Sequence, residues 1–510
     1  MLKKIKEIIE KIENSKTPFH YFVLSFFFVT FLRTFLEYFS DIDVLHTKEG
    51  VPYAGGSLID LSVLVHYVVS YVTLATLIIL ICHVSTKVNV LKISKVVLSG
   101  FIILISVPIT DLIVSGGAGS NIAYIFIRDY QHLFSQYIVF GIDSLGIRIE
   151  IAIVLLGAFT YFRLKGVGSI KSFIFTFLLH TTLFICGIFP FLVEKFFNLI
   201  EVEYLYTPTL MTNLFLSSLF LAGIPLLYFA NKKYFKIILK DIRPFRIFYF
   251  ELMFFLGIIL VPKTFSFILT ADNLFSFIFI PISIVFAGLF SIITNNIEDY
   301  EIDKISNKER PLVKKEIDPV LYMKLGWLFL IVALIYSFAS SFLAFFIITL
   351  WIGNYFLYSM PPFRLKRIPF FSKLIIAFNS LILIILGFVS VVGCSVSDIP
   401  KLSILVFLIV FTAVINFIDI KDYEGDKKEG IKTLPVLLGL KRSKILISIF
   451  FAVAYLFVVF LTKELITLIL FFFLGCLQVY LINRRDYKEK YVFIIVLSSI
   501  LYIIFEFLFS

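Results

Sequence analysis

The stretch Thr294-Asn-Asn-Ile-Glu-Asp-Tyr-Glu-Ile-Asp-Lys-Ile-Ser-Asn-Lys-Glu-Arg-Pro311 lies where a long apolar segment becomes rich in side-chain oxygens. Its centre is the pattern Asn295-x3-Asp299-x3-Asp303. Residues four apart lie on one face of a helix, so this spacing predicts oxygen donors stacked turn upon turn. Carboxylate oxygens are preferred ligands of Mg²⁺. The stretch therefore predicts a divalent-cation site at the end of an apolar helix.

A second acidic cluster, Asp419-x2-Asp422-x3-Asp426, also follows an apolar run. Mg²⁺ usually takes one or two carboxylates together with substrate phosphate oxygens, so each cluster is predicted to hold one ion against a diphosphate. The alternative is a pair of solvated acidic loops with ordinary helix caps. Basic residues flank both clusters and favour an anion site, namely Lys304, Lys308, Arg310, Lys421, Lys427, Lys428 and Lys432.

The composition of the whole chain indicates a membrane protein. Of its 510 residues 60% are hydrophobic, and the mean hydropathy is +1.00. Soluble domains are only about 45–50% apolar. The apolar runs are long enough to cross a bilayer as helices, which takes roughly 20 residues, and they lack the alternation of a membrane barrel. The predicted fold class is an all-α polytopic membrane protein.

The net charge of +11 does not indicate a nucleic-acid partner, because the basic residues lie in short loops between apolar runs. This distribution is the positive-inside pattern of membrane proteins. It places both acidic clusters and the loop 358–367 on the cytoplasmic side of the cell membrane. The same pattern predicts a cytoplasmic amino terminus and a carboxyl terminus outside.

The order of the apolar runs predicts four parts. Residues 1–18 form a basic amphipathic segment at the membrane interface, for which a frayed terminus is the alternative. Residues 19–230 form a membrane domain of six spans, and residues 231–246 form a basic cytoplasmic hinge. Residues 247–510 form nine further spans, which brings the total to about fifteen helices.

A third loop, Tyr358-Ser-Met-Pro-Pro-Phe-Arg-Leu-Lys-Arg367, emerges on the same predicted side as the acidic clusters. Two prolines fix an extended turn and remove backbone donors, which would aim Arg364, Lys366 and Arg367 in a set direction. The alternative is a plain positive-inside anchor.

These motifs together resemble the UbiA superfamily of intramembrane prenyltransferases over about residues 241–510. The resemblance rests on the first cluster with Glu309-Arg-Pro311 after it, on the second cluster running into 430–439, on Arg243-Pro-Phe-Arg246 and on the Tyr-Ser-x-Pro-Pro loop. Two departures are visible. Asn296 stands where many members have aspartate, which would weaken one metal contact, and Lys314-Lys315 replaces a common Pro-Ser-Gly turn.

The resemblance implies an enzyme that uses Mg²⁺ to transfer a prenyl group from an isoprenoid diphosphate to a lipophilic acceptor in the membrane. The implied catalytic and metal-binding residues are Asn295, Asp299, Asp303, Asp419, Asp422 and Asp426. The implied diphosphate-binding residues are Arg310, Tyr358, Arg364, Lys366, Lys421 and Lys432. Cations stabilise charge that develops on a leaving diphosphate, and aromatic faces stabilise a prenyl cation.

Three functional hypotheses remain open on the sequence. The Tyr-Ser-x-Pro-Pro loop resembles the branch that acts on quinone precursors, which favours an aromatic or quinone-type acceptor. Geranylgeranylglyceryl phosphate, the acceptor of ether-lipid synthesis, is the close alternative. A transporter or lipid-binding protein, in which the diphosphate site only binds, is the hypothesis from another class.

The amino-terminal half resembles no family that we recognise. It carries ionisable residues at membrane depth, namely Arg33, Glu37, Asp60, Asp111, Arg148 and Glu150. Such residues usually pair with one another or line a cavity. They predict either an internal network that holds the helices together or an outward-facing polar pocket.

Overall fold

The computed structural model describes residues 2–40, 61–117, 124–125, 127, 130–139, 144–202, 207–261, 271–368, 370–391, 395–399, 401–428, 430–462 and 464–509. These residues form helices, turns and loops and contain no strand. The all-helical prediction is therefore confirmed.

The helices follow the apolar runs of the sequence. The first eleven are α1 Leu2–Glu13, α2 Phe19–Ser40, α3 Leu61–Thr86, α4 Val90–Gly100, α5 Ser106–Val114, α6 Tyr130–Val139, α7 Leu145–Leu164, α8 Ser169–Gly187, α9 Phe189–Leu199, α10 Pro208–Ala230 and α11 Lys232–Asp241. The other twelve are α12 Pro244–Ile259, α13 Ala271–Glu298, α14 Tyr300–Ser306, α15 Pro319–Ser340, α16 Phe342–Ser359, α17 Phe371–Val389, α18 Lys401–Val414, α19 Tyr423–Lys428, α20 Leu434–Leu438, α21 Leu440–Thr462, α22 Leu465–Asn483 and α23 Glu489–Phe509.

The chain divides into two compact units, Met1–Phe235 and Lys236–Ser510. Twelve helical segments among the described residues are long and apolar enough to cross a membrane, and each unit contains six of them. The other three spans predicted for residues 247–510 coincide with α12, α18 and α23, which are not among these twelve segments of the described residues, so the nine-span domain stays a prediction. The protein is a multi-pass membrane protein.

In the first unit, polar contacts tie the amphipathic helix α1 to its neighbours. The carboxylate of Glu13 is buried, accepts a hydrogen bond from Tyr161 at 2.9 Å and pairs with Lys165 at 2.6 Å. Lys95 donates to the backbone oxygen of Ser15 at 2.7 Å. The end of α1 is therefore fixed to α4 and α7.

Two of the intramembrane charges in this unit have structural contacts. The buried carboxylate of Asp111 accepts hydrogen bonds from the Ser144 hydroxyl at 2.5 Å and from the Gly146 backbone N–H at 2.8 Å, so it holds the start of α7. The Arg33 guanidinium lies 5.0 Å from the ring centre of Tyr67. The Glu37 side chain and Asp60 lie outside the described residues. The internal network and the outward-facing polar pocket both stay predictions.

In the second unit, two glycines allow the backbones of α12 and α17 to touch. A Cβ at Gly257 would lie 1.9 Å from the backbone oxygen of Ile384, and a Cβ at Gly387 would lie 1.9 Å from that of Phe254. Small residues of this kind let membrane helices approach closely. This contact fixes α12, which carries one wall of the site described below.

We expect Gly257→Ala to destabilise the second unit by about 1–3 kcal/mol or more, because the added methyl must push α12 away from α17. Gly353→Ala is the matched control, since a Cβ there meets no atom within 4 Å. Thermal unfolding of both variants in detergent measures the difference. Equal melting temperatures would show that the close helix contact is not needed.

Candidate active site

The first acidic cluster lies at the end of α13 and on α14. Asp299 donates its backbone N–H to Asn295 at 2.9 Å, and Asp303 donates to Asp299 at 2.8 Å, so the helical register continues through the motif. The Asn295 side-chain oxygen accepts from the Ser359 hydroxyl at 2.9 Å and from Lys366 at 3.4 Å. The motif therefore faces the loop that follows α16.

Cations from that loop and from the segment after α14 hold the carboxylates of the first cluster. Asp299 forms an ion pair with Lys366 and another with Arg364 at 3.2 Å. Asp303 forms an ion pair with Arg310. Three of the basic residues predicted to bind diphosphate thus contact the first cluster directly.

The second acidic cluster begins in the 3₁₀ segment Ile415–Ile420 that continues α18. One oxygen of Asp419, Oδ1, accepts from the buried ammonium of Lys373 at 2.5 Å, whereas Oδ2 is buried without a hydrogen-bond partner among the described residues. Asp422 lies 4.0 Å from Lys421, and Asp426 is buried on α19. This cluster has fewer close cations than the first.

The fold brings the two clusters together. Helix α14, which carries Asp303, packs against α19, which carries Asp426. Burial and the nearby Arg246 lower the pKa of the Arg310 guanidinium. Carboxylates from both clusters oppose that shift, Asp299 from the first and Asp422 from the second. Arg310 therefore lies within electrostatic reach of both motifs.

The donor set fits a divalent cation. The ammonium of Lys366 contacts oxygens of both Asn295 and Asp299, a position in which a metal ion would find the same two ligands. Burial raises the pKa of Asp426 to about 7, and the charges of Asp419 and Asp422 act in the same direction. Like charges crowded in this way favour a bound cation.

Lysine and arginine side chains are the close partners of the cluster carboxylates. Within the described part of the chain, no three His, Cys, Asp or Glu side chains lie close enough together to hold one metal ion. The carboxylates of Asp299, Asp303 and Asp419 are each paired with a lysine or arginine. Binding of a metal would require some of these cations to turn from carboxylate to substrate phosphate.

A cavity of about 640 Å³ opens beside Arg310. Its basic lining residues include Arg243, Arg246, Arg310 and Lys421. Aromatic residues line it as well, namely Tyr249, Phe250, Tyr355 and Tyr358. The volume of this cavity is typical of a ligand site. Its lining combines charged and aromatic side chains, so it can hold an anionic group beside its basic residues and an apolar chain against the aromatic rings.

Asn296 belongs to a hydrogen-bond network that Arg310 joins to the first cluster. Its side chain is 1% exposed, and its oxygen accepts from Arg243 at 2.5 Å and from Arg310 at 3.0 Å. Its nitrogen donates to Asp241 at 2.9 Å and to Tyr322 at 3.0 Å. Because Arg310 also pairs with Asp303, Asn296 lies one residue away from the predicted metal site, and the effect of asparagine on a metal contact stays a prediction.

We expect Asn296→Asp to lower the free energy of unfolding by about 1–3 kcal/mol, because Asp241 and Tyr322 would lose a donor and two carboxylates would face each other. The double variant Asn296→Asp with Asp241→Asn restores one carboxylate and one amide. Chemical denaturation of the two variants tests the pairing. A double variant no more stable than the single one would contradict it.

The structure places the predicted diphosphate-binding residues in three locations. Arg310, Tyr358 and Lys421 line the cavity of about 640 Å³. Arg364 and Lys366 lie against Asp299. Lys432 lines a different cavity, beside Asp419.

The sequence analysis did not identify two charged residues that contact the site. Lys373 pairs with Asp419, and Glu489 pairs with Lys421 at 2.5 Å. The sequence could have indicated a paired Lys373, because a lysine close to the start of an apolar span is costly without a partner. Glu489 has none, since its loop carries several charges.

Comparison with known proteins identifies the second unit. A model described as the UbiA prenyltransferase family matches residues 259–500. This part of the chain is similar to the UbiA prenyltransferase family. The family model does not extend to the amino-terminal half, in agreement with the sequence analysis.

Curated relatives of the UbiA region are named after one activity in several archaea. The digeranylgeranylglyceryl phosphate synthase of Thermococcus sibiricus is 34% identical over 166 residues, which are 32% of this chain and 56% of the relative. The synthase of Pyrococcus horikoshii is 34% identical over a match that covers 31% of this chain and 55% of the relative. A probable homogentisate phytyltransferase 2 of Oryza sativa is 28% identical over a match that covers 29% of this chain and 41% of the relative. The chain spans only about half of the length of these curated relatives.

A solved structure of a UbiA homolog from Archaeoglobus fulgidus, bound to DMAPP and Mg²⁺, also resembles the UbiA region. It is 20% identical, covers 53% of this chain and 96% of that protein, and has a TM-score of 0.41.

Proposed function

We propose that the UbiA region is a Mg²⁺-dependent prenyltransferase that moves the prenyl group of an isoprenoid diphosphate onto geranylgeranylglyceryl phosphate. The observation that carries the proposal is the packing of α14, which bears part of the first carboxylate cluster, against α19, which bears part of the second, beside a cavity lined by Arg310, other basic residues and aromatic residues. The similarity to the family and the activities named for the archaeal relatives support it.

In the proposed complex, residues of both clusters would hold Mg²⁺ beside the diphosphate. The metal residues are Asn295, Asp299, Asp303, Asp419, Asp422 and Asp426. Bound Mg²⁺ neutralises charge on the diphosphate oxygens. Arg310 and Lys421 line the same cavity and would contact the phosphates, together with Arg246. Arg364 and Lys366 would turn from Asp299 to the phosphates as the metal takes their place.

The residues of the cavity would assist transfer in two ways. As the bond between the prenyl C1 and the diphosphate oxygen breaks, its electron pair stays on the diphosphate, where arginine and lysine stabilise it. The allylic cation that remains is stabilised by the faces of Tyr249, Tyr355 and Tyr358. The acceptor hydroxyl oxygen then bonds to C1, and its proton passes to the released diphosphate.

The comparisons change which acceptor is preferred. The Tyr-Ser-x-Pro-Pro loop favoured an aromatic or quinone-type acceptor. The archaeal relatives are more similar to this chain than the plant phytyltransferase, and all are named for glyceryl phosphate chemistry. They favour the alternative acceptor, geranylgeranylglyceryl phosphate.

In this proposal the amino terminus and the loops with the acidic clusters face the cytoplasm, and the carboxyl terminus faces outside. The excess of lysine and arginine in those loops supports this orientation. Isoprenoid diphosphates are polyanions that do not cross lipid unaided, so a cytoplasmic site would meet its donor directly.

Release of diphosphate separates an enzyme from a binding protein or transporter. Membranes containing the full chain, given geranylgeranyl diphosphate and geranylgeranylglyceryl phosphate, should release diphosphate only with Mg²⁺ present. Replacing the acceptor by a hydroquinone should reduce the rate. Binding of the donor without release would favour the transporter, and faster release with the hydroquinone would favour the aromatic acceptor.

A further inference from the structure

A second cavity, of about 560 Å³, lies on the other side of the Ile415–Ile420 segment. We name it the α18 cavity and define it by Leu405, Leu408, Thr412, Asp419 and Phe450, which line it together with residues of α17 and α20. All of these residues belong to the second unit. Its volume falls within the range of about 300–1,000 Å³ that small-molecule sites occupy.

One segment forms the wall between the two cavities. Ile415 and Ile418 line the cavity of about 640 Å³, whereas Asn416 and Asp419 line the α18 cavity. Residues three apart share a face in a 3₁₀ helix, which explains this division. Helix α17 also contributes to both cavities, since Ile376 lines the first and Lys373 lines the second.

The α18 cavity is apolar but contains unsatisfied oxygens. Half of its sixteen lining residues are leucine, isoleucine or phenylalanine. Thr412 is 6% exposed and Asp419 is 7% exposed, and both Thr412 Oγ1 and Asp419 Oδ2 are buried without a hydrogen-bond partner among the described residues. Buried polar oxygens are normally paired, so both point to a group that supplies hydrogen-bond donors.

The rim of the cavity is accessible to lipid. Leu405 and Ile409 on α18 are 55% and 62% exposed, and Leu437 on α20 is 56% exposed. Exposed apolar side chains on membrane helices contact lipid chains. A molecule with a long hydrocarbon chain can therefore enter the α18 cavity from the bilayer.

The charges of the lining residues suit each cavity to a different substrate. The first cavity is lined by Arg243, Arg246, Arg310 and Lys421, which suit a diphosphate. The described lining of the α18 cavity contains two cations, Lys432 and a Lys373 that is already paired with Asp419. One exposed lysine at a rim suits a phosphate monoester better than a diphosphate.

We infer that the α18 cavity binds the acceptor lipid, with its isoprenoid chain between α18 and α21, its phosphate near Lys432 and its glycerol end beside Thr412. This inference rests on the proposed function. It gives the reaction two entrances, one for the diphosphate and one for the acceptor, and requires the acceptor hydroxyl to reach past the Ile415–Ile420 segment to the prenyl C1. Thr412 then determines how the acceptor hydroxyl end is held.

The test uses the full chain in lipid nanodiscs and two variants of the α18 cavity. Leu408→Trp fills the cavity, and Thr412→Val removes one oxygen while keeping the shape. We expect Leu408→Trp to raise the KM for geranylgeranylglyceryl phosphate about tenfold or more and Thr412→Val to raise it severalfold, because changes of one small group in a binding site have effects of this order. The KM for geranylgeranyl diphosphate should stay within about twofold.

Leu402→Trp is the matched control, because Leu402 lies on the same helix, is 72% exposed and does not line the cavity. It should leave both KM values unchanged. A raised KM for the diphosphate in Leu408→Trp would overturn the inference and assign the cavity to the donor chain. Unchanged KM values in both cavity variants would also overturn it, since the cavity would then hold only bilayer lipid.

Photocrosslinking tests binding of the acceptor independently of catalysis. A geranylgeranylglyceryl phosphate analogue with a diazirine at the end of its chain should crosslink to α18 or α21 residues such as Leu405 or Phe450. Crosslinks confined to Phe250 and Tyr355 would place the acceptor in the first cavity and overturn the inference. If the unaltered chain transfers no prenyl group to this acceptor, the proposed function fails, while the crosslinks still decide what the α18 cavity binds.

Discussion

Asp299→Ala and Asp422→Ala should each reduce prenyl transfer by at least about 10²–10³-fold, the loss typical of removing one preorganised group that stabilises transition-state charge. Asp299 belongs to the first cluster and Asp422 to the second, so the two variants test both halves of the metal and diphosphate site. The measurement is transfer of a radiolabelled prenyl group in membranes at saturating Mg²⁺. Both variants should still insert and fold, because neither residue is part of the apolar helix contacts.

The matched control is Glu301→Ala, next to Asp303 on α14. The Glu301 side chain is 71% exposed and pairs with Lys304 at the surface. Surface pairs of this kind contribute little to stability, so this variant should transfer prenyl groups at nearly the normal rate. If Asp299→Ala and Asp422→Ala both kept normal activity, the assignment of the acidic clusters would be wrong.

Lys373→Met should give the largest loss of stability among single changes in the site. The ammonium of Lys373 is 5% exposed and is the close partner of Asp419, whose other oxygen has no partner among the described residues. Removing one member of a buried pair leaves an uncompensated charge and costs about 3–5 kcal/mol. Thermal unfolding of the purified protein in detergent measures this loss.

Two further variants make the result specific. Lys401→Met changes an exposed lysine at the start of α18 and should leave the melting temperature unchanged. The double variant Lys373→Met with Asp419→Leu removes both charges and should regain much of the stability while remaining inactive. Recovery of activity in the double variant would show that Asp419 has no role in transfer.

Much of the fold follows from local patterns. Apolar runs long enough to cross a bilayer predict the long helices, and the four-residue spacing of Asn295, Asp299 and Asp303 predicts the helical end of α13. These features depend on residues close together in the sequence, which is why they can be predicted.

Contacts between distant segments could not be predicted in this way. The pairing of Asn296 with Asp241 joins two helices, and no pattern within either helix indicates it. Lys432 lines the same cavity as Asp419, which lies in the 3₁₀ segment Ile415–Ile420. No pattern in the sequence marks this segment, and the change from 3.6 to 3.0 residues per turn alters which side chains share a face.

The most direct test of the proposed reaction is mass spectrometry of the lipids made by membranes that contain the full chain. The membranes are given isotopically labelled geranylgeranyl diphosphate, geranylgeranylglyceryl phosphate and Mg²⁺. The account predicts a glyceryl phosphate that carries two geranylgeranyl chains, one of them labelled, and its absence when Asp299 is replaced by alanine. Label found only in a prenylated quinol, or only in unreacted diphosphate, would contradict the account.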